Sequence, residues 1–207
     1  MDSQRIKMYF MVALCLNDVL VSVCGEEEQD KANGYLIEKW EQMFYVNDIN
    51  RDAKLTMDDA KQFEKYYKDY LVDQQLKSLT KRIDKVYRTI LLNNKKEIAK
   101  EDFVDMMKQK YESDKNTFIE MVREYISEWC KAMDLNGDKN ISKQEFIMDM
   151  FAEGNKNARK EAKFFLTFKP KNGQIPVDEI ISDFIRFATE SNPSKIDIIK
   201  NENDSNV

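Results

Sequence analysis

The apolar positions of this chain recur at helical spacing almost from end to end. Leu36, Trp40, Met43 and Phe44 fall three and four residues apart, as do Phe63, Tyr66, Tyr67 and Tyr70, and Phe118, Met121, Val122, Tyr125, Trp129 and Met133. That spacing lines each set along one face of an amphipathic helix. From Gly34 onward the pattern predicts helix nearly throughout, with proline confined to Pro170, Pro176 and Pro193. An aromatic stripe on such a face marks a packed core rather than a ligand box. The polar stretch "SNPSKIDIIKNENDSNV", residues 191–207, closes the chain as a loose tail.

The predicted helices are interrupted by segments that share one frame. In "DLNGDKNISKQE", Asp134 to Glu145, the eighth residue is Ile141. "DINRDAKLTMDD", Asp48 to Asp59, puts Leu55 eighth; "LLNNKKEIAKED", Leu91 to Asp102, puts Ile98 there; "FKPKNGQIPVDE", Phe168 to Glu179, puts Ile175 there. Aromatic-bearing helices lead into the four through Phe44, Tyr87, Trp129 and Phe164, and Phe103 and Phe146 follow two of them. Repetition on this scale decides a fold. It predicts an all-α chain of four helix–loop–helix units, paired into lobes at residues 34–112 and 114–190. Leu55 should meet Ile98, and Ile141 should meet Ile175, in short two-stranded antiparallel links.

Two of the loops carry chemistry. A hard cation takes about six to eight oxygens at roughly 2.3–2.6 Å. A twelve-residue loop supplies them from side chains at its first, third and fifth positions, the carbonyl of the seventh, the ninth directly or through water, and a carboxylate at the twelfth. In loop 134–145 these are Asp134, Asn136, Asp138, the carbonyl of Asn140, Ser142 and Glu145. In loop 48–59 they are Asp48, Asn50, Asp52, the carbonyl of Lys54, Thr56 and Asp59. Ser142 with Glu145, and Thr56 with Asp59, also form helix capping pairs, so helix start and last ligand coincide. Loop 91–102 offers Leu91, Asn93 and Lys95, and loop 168–179 offers Phe168, Pro170 and Asn172, although Gly173 and Glu179 survive there. Both are predicted to bind nothing.

These repeats resemble EF-hands. The resemblance covers roughly Trp40 to Phe187 and implies two Ca²⁺ sites. Mg²⁺ should compete most at loop 48–59, where the shorter Asp59 makes bidentate closure harder. The two metal-competent loops depart from the family at the sixth position, where a positive φ usually calls for glycine and this chain has Ala53 and Lys139. A non-glycine residue there costs about 1–2 kcal/mol, which three carboxylates per loop should outweigh. The plan, and the run "YISEWCKAMDLNGDKNISKQEF", further resemble the sarcoplasmic calcium-binding proteins and calexcitins of invertebrates. That implies a calcium buffer or signal modulator. The alternative is a sensor that exposes a Met-rich surface to a protein target, for which Met106, Met107, Met148 and Met150 are candidates.

Composition narrows the field. The net charge of −5 and absence of a basic face argue against nucleic acid. There is no histidine, which removes the commonest general base and zinc ligand, and also the cavity histidine of coelenterazine photoproteins, which share the four-hand plan. No phosphate-cradling glycine motif is present. The chain therefore reads as a non-enzymatic, monomeric binding protein with no membrane span.

Residues 1–25, "MDSQRIKMYFMVALCLNDVLVSVCG", have the basic, apolar, then small order of a secretory signal peptide, with Asp18 against it. An extra amphipathic helix is the alternative. The first reading places the protein in the secretory pathway and leaves Cys130 as its sole cysteine; the second leaves it in the cytoplasm. Export would make Asn140 and Asn203 glycosylation sequons, of which Asn140, inside a metal loop, should stay unmodified.

Overall fold

The computed structural model describes residues 28–152 and 157–191. The segment read as a signal peptide or extra helix, the tail past Ser191 and the sequon at Asn203 lie outside the described residues.

Among the described residues the chain forms eight α-helices and four three-residue strands. Helix α1, Glu28–Asn47, leads into the first loop; β1, Lys54–Thr56, and α2, Met57–Tyr67, leave it. Helix α3, Asp73–Lys85, continues through a π-helical turn, Val86–Leu91, into the second loop, and β2, Glu97–Ala99, and α4, Lys100–Ser113, follow. The third unit is α5, Lys115–Met133, β3, Asn140–Ser142, and α6, Lys143–Ala152. The fourth is α7, Ala158–Thr167, β4, Gln174–Pro176, and α8, Val177–Thr189.

The strands pair as the repeat frame predicts. Antiparallel β1 and β2 set Leu55 opposite Ile98, and β3 and β4 set Ile141 opposite Ile175. All four of these side chains are buried. A one-residue slip would turn each of them to solvent, so burial fixes the register.

The apolar stripes meet in one continuous core that draws on all four units. Its centre is aromatic. Trp40 lies 5.9 Å from Phe118, Phe63 lies 4.6 Å from Trp129, and Tyr125 lies 5.6 Å from Phe184 between ring centroids. The Trp40 indole N–H reaches the Ala188 carbonyl at 3.2 Å, tying the first helix to the last. Truncating one such ring to alanine costs about 3–5 kcal/mol. Met106, Met107 and Met150 are buried in the same core.

Three features differ from the periodic reading. Helix α1 begins at Glu28, so Gly34 lies inside it rather than at its start. Glycine inside a helix costs about 1 kcal/mol, which burial of Leu36, Trp40, Met43 and Phe44 more than offsets. Tyr70 does not join its stripe: α2 stops at Tyr67, the chain turns, and Tyr70 is 39% exposed. The second unit enters its loop through a π turn, with Leu92 N–H bonded back to the Tyr87 carbonyl. The wider turn brings Val86, Tyr87, Ile90, Leu91 and Leu92 all into the core. Leu91, where a first metal ligand would stand, is thus a core residue.

Candidate metal-binding loops

Loops 48–59 and 134–145 have the same backbone trace. Each turns twice through positive φ, at its fourth and sixth positions: Arg51 at 61° and Ala53 at 63°, Gly137 at 75° and Lys139 at 65°. The sharp turn expected at the sixth position is therefore made without glycine, and Lys139 is exposed, clear of the loop interior.

The side chains in these positions fold inward onto loop amides. Asp48 accepts from the Ala53 N–H at 3.1 Å, and Asp134 accepts from Gly137 and Lys139 at 2.8 and 2.9 Å. The third-position amides repeat the pattern, Asn50 accepting from the Asp52 N–H at 3.0 Å and Asn136 from the Asp138 N–H at 2.8 Å. At the fifth position Asp52 accepts from Lys54 N–H, and Asp138 from Asn140 N–H. Lys54 and Asn140, the carbonyl-donating positions, open β1 and β3.

The twelfth position closes each loop. One Asp59 oxygen accepts from Ile49 and Asn50 N–H at 2.9 and 3.2 Å, the other from the Thr56 N–H and hydroxyl at 2.9 and 3.1 Å. Glu145 does the same with Leu135 and Asn136 at 3.0 and 3.3 Å, and with the Ser142 N–H and hydroxyl at 2.9 and 2.7 Å. The expected capping pairs are present, and the acid that starts each leaving helix also clasps the loop's first half.

The donor chemistry suits a divalent hard cation. Asp48 and Asp59 are buried carboxylates set in one loop with Asp52. Burial raises the Asp48 carboxyl above its ordinary value, and the Asp59 and Asp52 charges push the same way against the Ala53 and Arg51 amides. A bound cation would relieve that crowding. In the third loop, the Asn140 N–H holds Asp138 below its ordinary value. Among the described residues no three Asp, Glu, Cys or His side chains form a metal cage by themselves. Amide, hydroxyl and main-chain oxygens would complete the shell, as hard cations allow. Asn140 donates through its amide nitrogen, the atom a glycan would occupy, to the Asp138 carbonyl at 3.0 Å.

The other two loops are built differently. Leu91 is in the core, Asn93 and Asn94 take the positive φ angles, and Lys95 stands at the fifth position. In the fourth loop the Phe168 ring packs on Phe146 at 5.7 Å. Glu179, the surviving twelfth-position acid, is bonded by the Lys171 ammonium from the loop's own fourth position. The loop supplies its own cation.

Behind the third loop lies a group that local pattern does not reveal. Asp149 is buried one turn past Glu145, and Tyr67 donates its hydroxyl to it at 2.6 Å. Burial raises the Asp149 carboxyl to about 7, with the tyrosine pulling the other way. Cys130 is also buried, and burial pushes its thiol up to about 12, which leaves it unreactive.

Comparison with known proteins agrees with the frame. No family model matches the chain. A sarcoplasmic calcium-binding protein of Mizuhopecten yessoensis is 25% identical over 170 residues, spanning 80% of this chain and 96% of its own. Among solved structures, the calcium-loaded apo form of a coelenterazine-binding protein from Renilla muelleri aligns with a TM-score of 0.64 at 19% identity, covering 81% of this chain and 94% of its own. Magnesium-loaded apo-berovin, a ctenophore photoprotein whose three Ca²⁺-binding loops bind Mg²⁺, aligns at 0.54 and 16% identity, covering 80% and 100%.

Proposed function

We propose that the chain is an EF-hand protein that binds Ca²⁺ through loops 48–59 and 134–145 and acts as a monomeric calcium buffer of the sarcoplasmic calcium-binding protein type, a reading supported by its likeness to a sarcoplasmic calcium-binding protein and by its fold. One observation carries this reading. The two loops share a double positive-φ turn, inward-folded side chains and a closing carboxylate, while the other two lack ligands at their first positions. The relative's name supports the ion, and the berovin structure supports Mg²⁺ as its competitor. Loop 48–59 is the more Mg²⁺-tolerant, because Asp59 reaches less far than Glu145.

Burial of Met106, Met107 and Met150 in a core shared by all four hands favours a buffer, which barely opens when it binds. The test is calorimetric titration with Ca²⁺, with and without millimolar Mg²⁺, alongside binding of an apolar dye. Two ions taken up with little new dye binding is the result expected of a buffer. A large rise in dye binding would make the protein a sensor with a target to find.

A further inference from the structure

Each strand ladder joins a metal-competent loop to one without ligands. Loop 48–59 pairs with loop 91–102, and loop 134–145 with loop 168–179. Communication between two ions within a pair therefore has no second ion to act on. The contacts that join the two competent hands run elsewhere, and they are symmetric. Helix α1, entering the first hand, ends at Asn47, whose side-chain amide donates to the hydroxyl of Tyr125 on α5, the helix entering the third hand, at 2.9 Å. Helix α2, leaving the first hand, carries Tyr67, which donates to Asp149 on α6, the helix leaving the third, at 2.6 Å. All four residues are buried, at 2%, 0%, 4% and 4% exposure in the order Asn47, Tyr125, Tyr67 and Asp149. Between the two pins Phe63 of α2 packs on Trp129 of α5 at 4.6 Å.

An EF-hand that takes its ion adjusts the angle between its entering and leaving helices, by a large amount in sensors and a small one in buffers. Here both helices of one hand are bonded, like to like, to both helices of the other. A change of angle in the first hand must drag the third hand the same way, or break hydrogen bonds between buried groups, which is costly. We propose that the two ion sites are positively coupled across the pairs through the Asn47–Tyr125 and Tyr67–Asp149 pins, so that an ion in loop 48–59 raises the affinity of loop 134–145 and the reverse. The proposal rests on the calcium-binding reading of these two loops. Coupling is reciprocal by thermodynamic necessity, and a structural coupling of this kind is worth about fivefold or more in affinity.

The experiment uses the full chain and calcium itself. The dissociation constant of loop 134–145 is measured with loop 48–59 intact and with it silenced by Asp48→Ala and Asp52→Ala. It is then measured again with both pins cut by Tyr67→Phe and Tyr125→Phe, changes that keep the rings. Silencing the first loop should weaken the third at least about fivefold in the wild-type background. With the pins cut it should have no effect. Asp149→Asn, which still accepts from Tyr67, should retain the coupling. A third-loop affinity indifferent to the first loop in the wild-type background overturns the proposal, and this arm does not depend on the pin variants folding. So does coupling that survives both tyrosine changes in protein shown to be folded by circular dichroism. Absence of calcium binding at both loops overturns the functional reading instead, a distinguishable failure.

Discussion

Across one ladder, loop 134–145 and loop 168–179 solve the same geometric problem with opposite means. Both follow a helix, carry a buried isoleucine in eighth place and end in a glutamate that opens the next helix. In the first, Glu145 clasps amides on both sides of a loop rich in oxygen. In the second, Glu179 is met by the ammonium of Lys171, and Phe168 gives its first position to the core. The fold of a hand thus needs its frame and its ladder, while the ion needs the carboxylates. The other pair shows the same contrast, with Leu91 buried in the core and Asp48 at the head of the loop proposed to bind.

The sharpest way to break this comparison is to treat the two glutamates alike. Glu145→Gln should weaken calcium binding about 10- to 150-fold, the equivalent of about 1.5–3 kcal/mol for a lost contact to a charged group. Glu179→Gln should leave both stoichiometry and affinity where they are. Equal effects in calorimetry would mean that the fourth loop also holds an ion.

A second prediction concerns what stands behind the loops. Four residues past its closing acid the third hand has Asp149, and the first hand has Phe63 at the matching place. The folded protein holds the Asp149 carboxyl protonated up to about 7, against an ordinary 3.8. The native state then binds a proton that the unfolded chain has already lost across that window. Stability of the metal-free protein should accordingly fall, by up to about 4 kcal/mol, as pH rises from about 4 to 7, and level off above. Asp149→Asn should flatten this slope. Urea unfolding in a chelator at several pH values measures it; a slope unchanged by the substitution would assign the dependence to other groups.

Smaller effects sharpen the comparison further. Ala53 and Lys139 stand at positive φ where glycine is strain-free. Ala53→Gly and Lys139→Gly should each raise calcium affinity of their own loop by up to about tenfold, the equivalent of about 1–2 kcal/mol. The fourth loop's glycine, Gly173, already sits in that conformation at a φ of 78° without a ligand set around it. Smallest of all, Lys171→Met should change thermal stability by less than about 1 kcal/mol, because an ion pair this exposed is worth little. A larger loss would show that the internal cation holds the fourth hand together.

Most of the architecture was legible because it is written locally. The frame that aligns Leu55, Ile98, Ile141 and Ile175 is a matter of spacing within twelve residues, and burial then forces the observed register. The proposed ligand sets are equally local, since one loop would supply nearly the whole shell. What escaped depends on distant partners or on the packing of a turn. Nothing near Tyr67 in the sequence announces Asp149, 82 residues away. Nothing in the pattern around Tyr70 shows that α2 stops before it. Nothing in the spacing of the fourth loop announces that Lys171 meets Glu179, a bond visible only once the loop is folded. The π turn at Val86–Leu91 likewise arises because five apolar side chains compete for the core, a demand that regular helical spacing does not express.

The central claim is that two loops, and these two, hold the ions. Native mass spectrometry of the wild-type chain, Asp48→Ala and Asp134→Ala in calcium counts them directly. The account predicts two ions on the wild type and one on each variant, with Asn93→Ala keeping both. An unchanged count in either aspartate variant, or the loss of an ion from Asn93→Ala, would contradict it.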